Sequence, residues 1–252
     1  MYTIEVPYHL DEALPGLGLP LRADETVRVP RPPDGGVWDS MAAVFGVVSR
    51  AVSRAVSARQ VPVVVSGDCS TALGTVAGLQ QAGLDPAVVW FDAHGDVQTL
   101  ETTGSGYLGG LPVRILTGYR PDLIATRLGL RPIPEHRIVL TGARDLDPPE
   151  VTYLDESRIQ RWEVDRLSAR LLPSGPLYVH LDLDVVDPAE VGGLRFPAPG
   201  GPSLAQVAAA LRMLGGTGRV VAAGVACTWR PEPGAGARSP GLLTSALRYL
   251  AK

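Results

Sequence analysis

"AVVWFDAHGD", residues 87–96, is the stretch on which the fold of this chain turns. Ala87, Val88, Val89, Trp90 and Phe91 form an unbroken apolar run, the pattern of a strand buried on both faces. The next five positions then hold Asp92, His94 and Asp96. Open α/β sheets bind ligands beyond the carboxyl ends of their strands, so polar groups that close such a run stand where chemistry is expected. If the backbone stays extended through the motif, the three side chains share one face.

Outward from this stretch the pattern repeats. Apolar, β-branched runs fall at residues 61–65, 87–91, 138–141, 177–183 and 220–225. Segments with helical spacing lie between or after them, at 41–58, 70–81, 164–172, 203–214 and 242–251. This alternation implies an α/β fold with a mostly parallel central sheet covered on both faces. No internal repeat or extended linker interrupts it, and 252 residues suit a single domain over 1–252. Residues 192–202 and 230–237 read as loops rich in Gly and Pro.

Composition narrows the class. The chain is 45% apolar and 19% charged with a formal net charge of -3, which excludes a disordered polymer and disfavours a polyanion binder such as a nucleic-acid protein. Its apolar runs are far too short to span a bilayer, and the amino terminus lacks a basic region leading into an apolar one, so a cytoplasmic protein without a membrane partner is expected. The two cysteines, Cys69 and Cys227, are each to be explained alone in a reducing compartment. Cys227, inside the last apolar run, reads as core.

Three strand ends carry polar groups: "SGDCS" at 66–70, "FDAHGD" at 91–96 and "LDLDVVDP" at 181–188. Asp182 and Asp184 alternate onto one face. Carboxylates so close repel unless one is protonated or a cation lies between them, and hard oxygen donors suit divalent metals. For Asp68 and for Asp187 before Pro188, a turn or helix cap is the simpler explanation.

These motifs, in this order and at these separations, closely resemble the ureohydrolase family, which includes arginase, agmatinase and formimidoylglutamase. The similarity extends to "SGYLGGLP" (105–112), "ARDLDPPE" (143–150) and "PAPGGPS" (197–203). It implies a three-layer α/β/α sandwich, assembly into homotrimers or homohexamers, and two divalent ions, foremost Mn2+, that activate water against a small-molecule substrate. On the resemblance, Asp92 and Asp182 bridge the ions, Asp96 completes one site, and His94 and Asp184 complete the other.

Departures from the pattern shape the expected chemistry. A histidine ligand of the family is replaced by Cys69, whose softer sulfur favours Zn2+ or Fe2+; a small apolar filler is the alternative. Gly109 stands where arginase-like members carry a proton-shuttling histidine. Thr228 stands where they carry a glutamate for guanidinium, and a neutral hydroxyl cannot make the paired charge-assisted bonds of a carboxylate. Ordinary arginine hydrolysis is therefore not expected, although Glu232 could substitute if its loop folded back. His180, two residues before Asp182, faces the same side and reads either as a metal-orienting or proton-relaying group or as a satisfied core histidine. Asp145, Asp147 and Glu150 match a region that contacts the amino-acid end of substrate in arginase, or open a helix at Pro148 and Pro149. The implied activity is hydrolysis of a non-peptide C–N bond in a guanidino, amidine or modified-guanidine molecule, with Asp96 steering the attacking water. Amide hydrolysis of the deacetylase kind and metal binding without turnover are the rival readings.

Overall fold

A computed structural model describes residues 1–17, 22–30, 35–230 and 248–249. Glu232, Pro231, most of the 230–237 loop and most of the expected 242–251 helix lie outside them. Ten strands are present among the described residues: β1 (Tyr2–Val6), β2 (Tyr8–His9), β3 (Glu12–Ala13), β4 (Glu25–Thr26), β5 (Pro62–Ser66), β6 (Ala87–Phe91), β7 (Ile138–Thr141), β8 (Gln160–Trp162), β9 (Leu177–Asp182) and β10 (Val220–Ala226). Six helices accompany them: α1 (Val37–Ser57), α2 (Ala72–Gln81), α3 (Pro112–Leu116), α4 (Ala125–Leu128), α5 (Pro148–Glu156) and α6 (Leu204–Gly216).

Eight strands make one sheet in the order β4-β1-β5-β10-β9-β6-β7-β8, and β2 and β3 make a separate antiparallel hairpin. Every pairing within the large sheet is parallel, as continuous apolar strands require. Side chains alternate between two cores: Val88 and Trp90 of β6 and Tyr178 of β9 join the cluster built with α1 to α5, whereas Ala87, Val89 and Phe91 join the one built with α6. Sheet and two helical faces together form the expected α/β/α sandwich.

Register decides where the polar ends meet. Phe91 of β6 pairs with Leu181 of β9, and Ala226 of β10 pairs with both Asp182 and Ser66. The four central strands therefore finish level, and the residues that follow emerge side by side about 5 Å apart.

Several expectations need correction. The 164–172 segment is not a helix but two short 3-10 turns, Val164–Arg166 and Ala169–Leu171. Leu167 and Ser168 between them are extended, so Val164, Leu167 and Leu172 enter the core singly rather than as a helical stripe. Helix α1 begins four residues before the expected 41, where the Asp39 carboxylate accepts from the Gly36 amide. Strand β1 lies outside the five expected runs, because Tyr2, Ile4 and Val6 alternate with Thr3 and Glu5 over only five residues instead of forming an unbroken apolar run. No described helix is long and apolar enough to cross a membrane.

Candidate metal centre

The carboxyl ends of β5, β6, β9 and β10 converge on one cleft lined by Cys69, Asp92, His94, Asp96, Tyr107, Gly109, Asp182, Asp184, Phe196 and Thr228. Asp92 continues the β6 face that carries Val88 and Trp90, and Asp182 the β9 face that carries Tyr178 and His180. Beyond Asp92 the extended geometry ends. The Asp92 carboxylate accepts from the His94 amide at 2.7 Å, and Asp96 adopts a left-handed backbone with φ 54. A tight turn, not strand alternation, thus brings Asp96 back beside Asp92. The β9 end repeats the device: Asp182 Oδ1 accepts from the Asp184 amide at 2.8 Å and turns Asp184 inward.

Two groups of potential ligands result. Donor atoms of Cys69, Asp92 and Asp96 lie within 4.8 Å of one another, and so do those of Asp92, His94 and Asp184. Asp92 belongs to both. Asp182 lies against the first group, accepting from the Cys69 thiol at 2.9 Å. His94 Nδ1 is 3.3 Å from Asp92 and 3.1 Å from Asp184, while its Nε2 is 3.8 Å from the exposed Asp145 at the mouth.

The electrostatics call for positive charge. Two carboxylates 4 Å apart repel by about 4 kcal/mol at the effective dielectric of a protein. Burial and then the charge of Asp92 push the Asp96 carboxyl well above the usual range, and burial with the charges of Asp184 and Asp92 does the same to Asp182. Asp184 rises to about 6 through burial and Asp92. Burial works against a proton on His94, yet the hydrogen bonds and charges of Asp184 and Asp92 overcome it and push its pKa up to about 12. Burial, followed by the charges of Asp182, Asp96 and Asp92, keeps the Cys69 thiol protonated. Asp96 Oδ2 is buried without a hydrogen-bond partner. A buried carboxylate oxygen left unpaired among other carboxylates suits cation binding, and oxygen, imidazole and thiol donors together fit divalent metals.

Other side chains hold these in place. The Trp90 indole N–H donates to Asp92 Oδ2 at 3.0 Å, and its ring stacks on His180 with centroids 3.7 Å apart. His180 Nδ1 meets the Tyr178 hydroxyl at 3.0 Å, and its buried Nε2 has no partner. Burial lowers the His180 pKa to about 3, so it is a neutral ring beneath the centre. Glu150, also nominated from sequence, is buried; it accepts from the amides of Val97 and Asp147 and so braces the loop after Asp96. Asp147 is exposed and accepts from Gln98 at the start of α5. Thr228 is buried in the cleft wall. Asp68 and Asp187 serve as turn acceptors, for Ser70 and Leu10 and for Ala189 and Gly200 respectively. Cys227 is free and fully buried.

Sequence reasoning missed two supports. Arg144 donates all five guanidinium hydrogens to backbone carbonyls, of Gly142, Asp184, Val185, Ala198 and Pro199, at 2.7–3.1 Å. Its place inside "ARDLDPPE" was the only available signal. His9, on the β2–β3 hairpin, is buried against the cleft residue Tyr107, and nothing in its neighbourhood along the chain hinted at that.

Comparison with known proteins agrees with this architecture. Residues 19–232 match the family described as Arginase family. The chain is 32% identical over 189 residues to an arginase of Bacillus subtilis (strain 168), covering 70% of this chain and 64% of that protein. It is 36% identical over 182 residues to an arginase of Bacillus caldovelox, covering 66% and 60%. The match thus spans less than two thirds of these relatives' length. A crystal structure of arginase from Bacillus subtilis superposes with a TM-score of 0.83 at 25% identity, covering 99% of this chain and 97% of that one. With the family match extending over most of the chain and the fold shared nearly end to end, the chain belongs to the arginase family.

Proposed function

We propose that this protein is a metal-dependent hydrolase that cleaves a non-peptide C–N bond in a guanidino, amidine or modified-guanidine small molecule. One observation carries the reading: two ligand-capable groups, Cys69/Asp92/Asp96 and Asp92/His94/Asp184, share Asp92. Such sharing suits a pair of ions, and two divalent ions, when bound, supply Lewis-acid activation of water and of the electrophilic carbon.

In this reading Asp92 and Asp182 would hold both ions, with Asp96 and Cys69 completing one set of ligands and His94 and Asp184 the other. Mn2+ follows from the oxygen and nitrogen donors and the family; the Cys69 sulfur also suits Zn2+ or Fe2+. Asp96, with its unpartnered oxygen, accepts a hydrogen bond from the attacking water and orients it. Trp90 and His180 keep Asp92 in position. Thr228 and Gly109 carry no titratable group, so proton transfer and substrate recognition depart from arginine hydrolysis. Asp145, at the mouth, is the nominated residue placed to meet the distal part of a substrate, whereas Asp147 and Glu150 are engaged with backbone and Gln98. The whole chain acts as one domain, in a homo-oligomer as the family resemblance implies.

Elemental analysis of protein purified without added metal, followed by assay of amine release from guanidino and amidine compounds, tests this. Two equivalents of Mn2+ per chain with amine release is the expected result. One Zn2+ with deacetylation, or tight metal without turnover of any such compound, overturns it.

A further inference from the structure

The cleft beside the candidate ligands is narrow, about 30 Å³, room for a very small group and little more. Sites for drug-sized ligands usually offer about 300–1,000 Å³. The restriction has an identifiable cause. A Cβ placed on Gly109 would overlap the Tyr107 ring, so the glycine leaves a volume that this ring fills. Tyr107 then packs against Phe196 with centroids 5.0 Å apart, and both residues line the cleft.

Tyr107 is also held from behind. Its ring stacks on His9 at 5.7 Å with planes 13° apart, and its hydroxyl is 3.4 Å from His9 Nε2. His9 Nδ1 lies 3.1 Å from the Gly67 carbonyl, which can only accept, so Nδ1 carries the proton and Nε2 accepts. Arg195 Nη1 donates to that same Nε2 at 3.0 Å. The wall is therefore tied at once to the turn bearing Cys69, through Gly67, and to the loop bearing Phe196, through Arg195. A surface tyrosine lacking these ties could swing aside at little cost; this one must break a stacked and hydrogen-bonded cluster to do so.

We propose that Tyr107 is the specificity-determining residue of the site, admitting compact planar C–N groups such as short amidines and excluding guanidines that carry a long aliphatic chain. The inference rests on the metal-dependent reading above and names the substrate class that reading leaves open. Both the ring and its hydroxyl oxygen lie in the space beside Gly109, and the exclusion is assigned to the bulk of the ring, the larger of the two.

The test uses Co2+-loaded protein and its visible absorption, titrated separately with azide, acetamidine and n-butylguanidine. Wild type is expected to respond to azide and acetamidine and to bind n-butylguanidine weakly. Tyr107→Ala should bind n-butylguanidine at least about tenfold more tightly, the usual scale of size discrimination in a pocket, while azide binding stays within about twofold. Tyr107→Phe should keep the wild-type preference. Should Tyr107→Ala fail to fold, Tyr107→Leu shortens the same wall and should shift the preference in the same direction. Unchanged n-butylguanidine affinity in a folded Ala or Leu variant overturns the proposal alone. A wild-type protein that takes up no Co2+, or whose bound Co2+ ignores azide, overturns the metal-dependent reading and this proposal with it.

Discussion

On the resemblance read from the sequence, Cys69 stands where a metal-binding histidine is expected. Its thiol is held protonated by burial and by three neighbouring carboxylates and donates to Asp182. Sulfur is a softer donor than imidazole and suits a hard ion less, so the group with Cys69 should hold Mn2+ less firmly than the group with His94. Replacing Cys69 with His should keep Mn2+ content near two per chain through prolonged dialysis that strips part of the metal from wild type purified with two, the stoichiometry of a two-metal site. Circular dichroism establishes that the variant folds, and unchanged Mn2+ content in folded protein removes position 69 from the ligand set. The candidate ligands at 92, 94, 96, 182 and 184 were legible because carboxylates and imidazole crowd two strand ends. The role of Tyr107 was not: its effect depends on the absence of a side chain at 109 and on His9, nearly a hundred positions earlier.

Among the elements, strands were easier to read than the links that aim their ends. Runs 87–91 and 138–141 match β6 and β7 residue for residue, since two-sided burial leaves no polar position to blur the limits. The 164–172 segment failed because three apolar residues at helical spacing also satisfy two separate turns, and only the neighbouring core distinguishes them. Arg144 shows what sequence spacing conceals. It joins the end of β7 to the Asp184–Val185 turn and to the 198–199 loop through backbone carbonyls, which have no signature along the chain. Arg144→Met should leave those carbonyls without a charged donor and destabilise the fold by about 3 kcal/mol, the combined loss of several modest hydrogen bonds. Urea unfolding with the slope checked against wild type measures this, and a change under about 0.5 kcal/mol, the scatter of ordinary surface substitutions, shows that the carbonyls find other donors.

Across the molecule, the centre is built from the ends of four strands and couples local charge to global stability. Asp92, Asp96, Asp182 and Asp184 are all buried, and folding forces their mutual repulsion. An ion that binds only the folded arrangement stabilises it, by about 2.7 kcal/mol at a hundredfold excess over Kd. For a chain of this size each kcal/mol moves Tm by about 2–4 °C, so saturating Mn2+ should raise Tm by roughly 5–10 °C over chelator-treated protein. Differential scanning calorimetry at several Mn2+ concentrations tests the linkage; a Tm independent of Mn2+ separates the acidic cluster from metal binding.

The sequence by itself determined the alternation of buried strand and helix, hence the parallel α/β sandwich, because burial on both faces leaves an unbroken apolar signature in a short window. It also determined which residue types gather at the strand ends. Only the tertiary structure decided that β5, β10, β9 and β6 lie next to one another with level ends, that Asp96 turns back on a left-handed residue, and that the Tyr107 ring fills the space beside Gly109. These outcomes depend on contacts between segments far apart along the chain, whose distances are set by packing and register and have no counterpart in local spacing.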